Sequence, residues 1–218
     1  MYHVMFDVDD TLIRSSGFDA HCFMDAVKRV TGLDLNRGLD EYPHATDRGI
    51  LRTFIQHQAP DEQLDCLEAR VKSVFIQNIR LYLKQHPVQE VRGAKAFLYR
   101  LLADERFVVS VATGGWGETA LLKLQAAGFQ TDQLSMASSN DHYVRTQIMM
   151  KAREMAGDVN DLPLTYFGDA AWDRQACQDL GVNLVIVGDK VSHHQQVRDF
   201  LDVDQLLRFI SGSREYNG

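Results

Sequence analysis

From Gly93 to Ile210, short runs of β-branched and aromatic residues take turns with amphipathic helical ones. Ala94 to Ala103 reads as a helix, Phe107 to Ala112 as a strand and Glu118 to Ala127 as a helix that Gly128 ends. A short strand around Leu134 to Ala137, a helix from Val144 to Met155 and a strand Leu164 to Phe167 follow. Asp173 to Leu180, Asn183 to Val187 and Val203 to Ile210 complete the series as helix, strand and helix. Strands joined through helices pair in parallel by right-handed crossovers. The expected fold is therefore α/β, a doubly wound (Rossmann-like) parallel sheet with helices on both faces.

The N-terminus supplies one more strand, Val4 to Val8, short and apolar as a buried strand should be. Residues two apart on a strand share a face, which sets Asp7 and Asp9 together at roughly 7 Å. Like charges there repel and resist desolvation unless a cation or a reaction uses them. In such sheets ligands collect at the carboxyl ends of the strands. Three ends are polar or glycine-rich: Asp7-Val8-Asp9, Thr113-Gly114-Gly115 and Gly168-Asp169, with Asp173 four residues further on. Several carboxylates in one crevice suit a hard cation, and Mg²⁺ fits where phosphate and water complete its shell. Asp7 could then attack phosphorus and Asp9 act as acid and base, while Thr113 and nearby N–H groups bind phosphoryl oxygens. The cation beside them is Arg145 or Lys151.

Between these parts, residues 16–86 hold helical patterns and no strand candidate. Ser16, with Asp19 three residues on, is the expected N-cap of a helix that Gly32 stops. A second helix starts at Thr46, and Pro60 opens a third that runs to about Lys84. Formal net charge is -7, so no electrostatic footprint for nucleic acid or an anionic membrane is present. Cys22, Cys66 and Cys177 are widely spaced and odd in number, which fits a reduced, cytoplasmic chain. Residues 1–14 lack a signal-peptide pattern, and no apolar run is long enough to span a bilayer.

The ordered motifs resemble those of the haloacid-dehalogenase superfamily of phosphohydrolases, over nearly the whole chain. DxDxT stands as Asp7-Val8-Asp9-Asp10-Thr11, the strand ending in Thr as Val111-Ala112-Thr113-Gly114-Gly115, and GDxxxD as Gly168-Asp169-Ala170-Ala171-Trp172-Asp173. The resemblance implies Asp7 as nucleophile, Asp9 as acid/base and Thr113 as phosphate ligand. It also implies Mg²⁺ held by Asp7, the Asp9 carbonyl and Asp169, with Asp173 in or next to the shell. Residues 15–87 resemble the helical cap inserted after the first motif in phosphoglycolate phosphatase and β-phosphoglucomutase relatives, leaving 1–14 plus 88–218 as the core. The third motif is usually Lys; here Val144-Arg145-Thr146 stands in its place, with Lys151 as rival.

Thr113, Gly114, Arg145 and the cap residue Arg48 are the expected substrate-binding set. His44 and Arg48 could instead belong to a plain helix start, where Asp47 favours the dipole. The expected function is Mg²⁺-dependent hydrolysis of a small phosphorylated metabolite. The rivals are a phosphomutase that passes the phosphoryl group to a sugar hydroxyl, and a phospho-acceptor regulatory protein. Trp116 is expected to pack in a core, and Trp172 beneath the acidic loop.

Overall fold

The computed structural model describes residues 1–35, 38–58 and 64–212. Its centre is a six-stranded, all-parallel sheet. The strands are β1 Tyr2–Phe6, β2 Phe107–Ala112, β3 Ser135–Ala137, β4 Leu164–Gly168, β5 Asn183–Val187 and β6 Gln196–Val197. Their spatial order is β3-β2-β1-β4-β5-β6, so β1 is central and the order reverses direction beside it. The helices are α1 Ser16–Thr31, α2 Asp47–Gln58, α3 Leu64–Leu83, α4 Ala94–Leu102, α5 Gly117–Ala126, α6 Arg145–Met155, α7 Ala171–Leu180 and α8 Val203–Ser211. Among the described residues no helix is long and apolar enough to cross a membrane.

Side chains of β1 alternate between two cores, as the two-residue period of a strand requires. Val4 and Phe6 pack with α4, α5 and α8 on one face, while Met5 joins Ile148, Met149 and Ala152 of α6 and Cys177 of α7 on the other. Phe6 stacks on Phe167 at 5.0 Å between ring centroids and meets Phe97 edge-on at 6.3 Å. Burying a side chain of that size contributes about 1.5–3 kcal/mol, so this group anchors the central strands.

The helices α1, α2 and α3 form a third core of their own. Phe23, Phe54 and Phe75 fill it, and Trp116, at the start of α5, enters it from the sheet side, 6.0 Å from both Phe23 and Phe75. Gly32 ends α1 with φ at 74°, a left-handed value that glycine adopts without strain, and its N–H donates to the Lys28 carbonyl.

Several expectations shift in detail. Strand β1 ends at Phe6 rather than Val8; the Asp7 N–H still donates to the Phe167 carbonyl at 2.9 Å, and the chain then turns. Asp9 therefore lies beyond the strand, and the spacing argument does not set its position. Ser15, not Ser16, is the N-cap of α1, and its hydroxyl donates to the Asp9 carboxylate instead of capping the helix. Pro60, the expected opening of the third helix, lies outside the described residues. Strand β6 has only two residues, too few to leave a periodic signal.

Candidate active site

Asp7, the first residue after β1, is nearly fully buried at the carboxyl end of the sheet. Beside it, the loop after β4 brings Asp169, and α7 brings Asp173. One carboxylate oxygen from each of the three lies within 4.8 Å of the others. Arg145, the first residue of α6, reaches over them: Nη1 is 3.6 Å from Asp7 Oδ1 and 2.9 Å from Asp173 Oδ1. It also donates to Tyr166 Oη, and Nη2 donates to the Ala45 carbonyl, both at 3.3 Å. Gly114 leaves room for that guanidinium, since a Cβ there would collide with Arg145 Nη2 and meet the Ala45 carbonyl at 3.0 Å.

Asp173 is fully occupied by protein donors. Its Oδ2 accepts the Asp169 and Ala170 N–H groups at 3.1 Å, and its Oδ1 accepts from Arg145 and, at 3.2 Å, from Tyr166. A carboxylate held by so many donors fixes the positions of Asp169 and Arg145 beside it. Gly168 permits the arrangement, because the Asp173 side chain lies 2.6 Å from where its Cβ would be.

Asp9 stands on the other side of the crevice. Its Oδ1 accepts from Ser15 and from Lys123 Nζ, the latter at 2.5 Å. Lys123 has no exposed surface and also donates to Asp19 of α1 at 2.5 Å. Burial opposes its charge, yet Asp19 and then Asp9 hold its pKa above the usual lysine range. Asp47, at the start of α2, accepts the Trp116 N–H at 2.8 Å, and its own N–H donates to the Gly114 carbonyl at 2.8 Å.

Thr113 is buried at the end of β2; its hydroxyl accepts the Gly115 N–H at 3.1 Å, which leaves the O–H as a donor. Asp7, Asp9, Asp47, Arg145 and Asp169 line, with Thr113, Gly114, Gly115, Ala20, Leu39, Ile50 and Trp172, a crevice of about 170 Å³. Trp172 lines its wall, with the Arg145 guanidinium carbon 6.0 Å from its ring centroid. Lys151 faces a separate, wider groove and pairs with Glu154 at 3.0 Å. Arg48 also points elsewhere. It follows Asp47 by about 100° around the helix, and its Nε is bound to Glu68 of α3 at 2.7 Å. The structure thus brings together Asp7, Asp9, Thr113, Gly114, Arg145, Asp169 and Asp173, and leaves out Arg48.

Lys123, Asp19, Asp47 and Lys190 were not among the expected site residues. Lys190 donates to Asp169 Oδ2 at 2.7 Å and also bonds Asp10. It follows β5, so the rule of strand carboxyl ends points to it. Lys123 had a signal too: it lies between Ala120 and Leu124 on the buried stripe of α5.

The charge balance tests whether a divalent cation suits the cluster. Burial first, then Asp173, push the Asp7 carboxyl well above its usual range, against the pull of Arg145. Burial and Asp173 likewise push Asp169 up to about 7, with Lys190 opposing. Carboxylates that repel one another and resist ionisation are the groups a dication would relieve. All-oxygen donors at this position fit Mg²⁺, with Asp7, Asp169 and Asp173 as the candidate side-chain cluster.

No curated protein matches the chain significantly in sequence. Among solved structures, a hydrolase from Pseudomonas syringae superposes with a TM-score of 0.69 at 18% identity, covering 96% of this chain and 90% of that one. CbbY from Rhodobacter sphaeroides, in complex with phosphate, gives 0.69 at 13% identity over 93% and 96% of the two chains. A CbbY variant in complex with xylulose-(1,5)bisphosphate gives 0.69 at 12% identity with the same coverage. At these identities the likeness concerns the fold. A family model for haloacid dehalogenase-like hydrolases matches residues 4–187, from within β1 to the end of β5. By that match, which spans every motif around the crevice, the chain belongs to the haloacid dehalogenase-like hydrolase family.

Proposed function

We propose that the protein is a Mg²⁺-dependent phosphatase of small phosphorylated metabolites that carries the phosphoryl group on Asp7. The observation behind this reading is the buried Asp7 carboxylate at the central strand end, with Arg145 3.6 Å away and Asp169 beside it. The phosphate and the xylulose bisphosphate held by the CbbY structures of the same fold agree with a phosphate ester as substrate.

An Asp7 oxygen attacks phosphorus as the bond to the ester oxygen breaks. Asp9 gives the departing oxygen its proton. It then takes a proton from the water that attacks the phosphoryl group, which frees Asp7 and releases inorganic phosphate. Arg145, the Thr113 hydroxyl and the Gly114 N–H hold the phosphoryl oxygens where transition-state charge gathers. Asp7, Asp169 and the Asp9 carbonyl would hold Mg²⁺, which would supply the positive charge that lets one anion approach another.

Residues 15–87 act as a cap over a core of 1–14 and 88–218, with Ala20, Leu39 and Ile50 limiting water in the crevice. With Arg48 bound to Glu68, the cap residues placed to choose the leaving group are Thr46 and Asp47. The free cysteines and the net charge of -7 support a cytoplasmic enzyme without nucleic-acid or membrane partners. The test is turnover of p-nitrophenyl phosphate and a panel of phosphorylated metabolites. Excess EDTA should abolish it and Mg²⁺ restore it; full activity in metal-free buffer would rule the reading out.

A further inference from the structure

Lys123 is a wholly buried lysine with two carboxylate partners, Asp9 at 2.5 Å and Asp19 at 2.5 Å, each from a different element. Burying an ammonium costs several kcal/mol unless it is paired and hydrogen-bonded, so an apolar residue at this position of α5 would be the simpler choice for packing. Its neighbours along the same stripe, Ala120 and Leu124, are apolar and buried.

The geometry at Asp9 gives the lysine a task. Lys123 and Ser15 both bind Oδ1 of that carboxylate. Oδ2 is left on the crevice side, 3.7 Å from the position a Cβ on Gly115 would take. A carboxylate held through one oxygen cannot rotate freely about its Cβ–Cγ bond, so the other oxygen is presented in one direction. Asp19 on the far side of Lys123 keeps the ammonium in place and ties it to α1.

We propose that Lys123 is a positioning residue: with Asp19 as its counter-charge, it pins Oδ1 of Asp9 so that Oδ2 faces the leaving group. The inference rests on the phosphatase reading above, with Asp9 as the acid. In the first half-reaction the ester oxygen leaves phosphorus for Asp7 to take its place, and the proton on Asp9 Oδ2 passes to that oxygen. An alkoxide needs this proton in order to leave, whereas p-nitrophenolate leaves without it. Loss of alignment at Oδ2 should therefore affect alkyl phosphates selectively.

The experiment compares Lys123→Met with the wild type on p-nitrophenyl phosphate and on glycerol phosphate, both with saturating Mg²⁺. The rate of leaving-group release in the first turnover is followed, so that the later water step does not enter. Lys123→Met should slow release from glycerol phosphate by at least about tenfold, part of the 10²–10⁴ carried by a full acid/base, and from p-nitrophenyl phosphate by less than about threefold. Because Lys123→Met leaves Asp19 unpaired, the double variant Lys123→Met/Asp19→Asn is measured beside it and should show the same split. Lys123→Arg, which keeps a donor, should restore part of the lost rate. Equal losses on both substrates, or no loss on either, in a variant with wild-type circular dichroism would overturn the inference alone. A wild-type chain inactive on both substrates would instead contradict the phosphatase reading and, with it, this one.

Discussion

The guanidinium of Arg145 is gripped on several sides at once: by Asp173, by the Tyr166 hydroxyl, by the Ala45 carbonyl and, more loosely, by Asp7. Such a planar, fixed cation presents donors in set directions, which a lysine in the same place would not. Lys151, one and a half turns further along α6, sits at the surface with Glu154. Arg145→Ala should lower kcat/KM by about 10²-fold or more, the usual effect of losing one donor to transition-state charge, and Lys151→Ala should stay near wild type. Arg145→Lys should retain part of the activity. Steady-state kinetics of the three variants decide it; an inactive Lys151→Ala beside a normal Arg145→Ala would reverse the assignment. The order of acidic and threonine-glycine motifs made Asp7, Thr113, Asp169 and Asp173 legible in the sequence, because each follows a recognisable strand. Lys123 and Asp19 were not legible as a pair, since 104 positions separate them and only the tertiary fold, with α1 and α5 both packed against α3, joins them. Arg48 misled for a related reason: a sequence places a charge near a helix start but not on which side of the helix it points.

At the scale of elements, α2 is fixed to the core by its first turn. Thr46 precedes the helix; its Oγ1 accepts the Gly49 N–H at 3.0 Å, as an N-cap does, and donates to the Tyr143 carbonyl at 2.7 Å. Gly49 has to be small, for a Cβ there would lie 2.6 Å from the His44 Cβ and 2.9 Å from the His44 carbonyl. Thr46→Val, close in shape but without the hydroxyl, should cost about 1–2 kcal/mol through the lost cap and the unpaired Tyr143 carbonyl. Urea unfolding would show this as a lower midpoint with an unchanged slope; an unchanged midpoint would mean that the cap contributes nothing. Most element boundaries were readable because strands and amphipathic helices leave different periods and glycines mark the ends. Strand β1 was overextended because Val8 continues the apolar run, although its backbone already accepts the turn bonds from Leu12 and Ile13.

Across the whole molecule, the acidic crevice couples stability to pH and metal. Asp169 is raised to about 7 in the fold, above the value near 4 of an unfolded aspartate. Between these values the folded chain retains a proton that the unfolded chain has lost, so this group makes the metal-free protein less stable as pH rises from about 4 to 7. Mg²⁺ should act the other way. At pH 8 Asp169 is ionised and ready to bind, whereas at pH 5.5 a proton must first leave. Millimolar Mg²⁺ should accordingly raise Tm more at pH 8 than at pH 5.5, and Asp169→Asn should reduce that difference. An equal rise at both values of pH would argue against Asp169 as a ligand. The parallel sheet and the helical unit over its carboxyl edge were foreseeable from alternation and from the strand-free stretch 16–86. The seating of one on the other was not, because it depends on long-range contacts such as Trp116 with Phe23 and Phe75.

The central claim, that Asp7 carries the phosphoryl group, is tested most directly by acid-quenching the protein during turnover of ³²P-labelled substrate with Mg²⁺. The wild type should retain label in a base-labile, hydroxylamine-sensitive acyl phosphate, and Asp7→Asn should retain none and hydrolyse nothing. Label bound to the Asp7→Asn protein, or undiminished hydrolysis by it, would contradict the account.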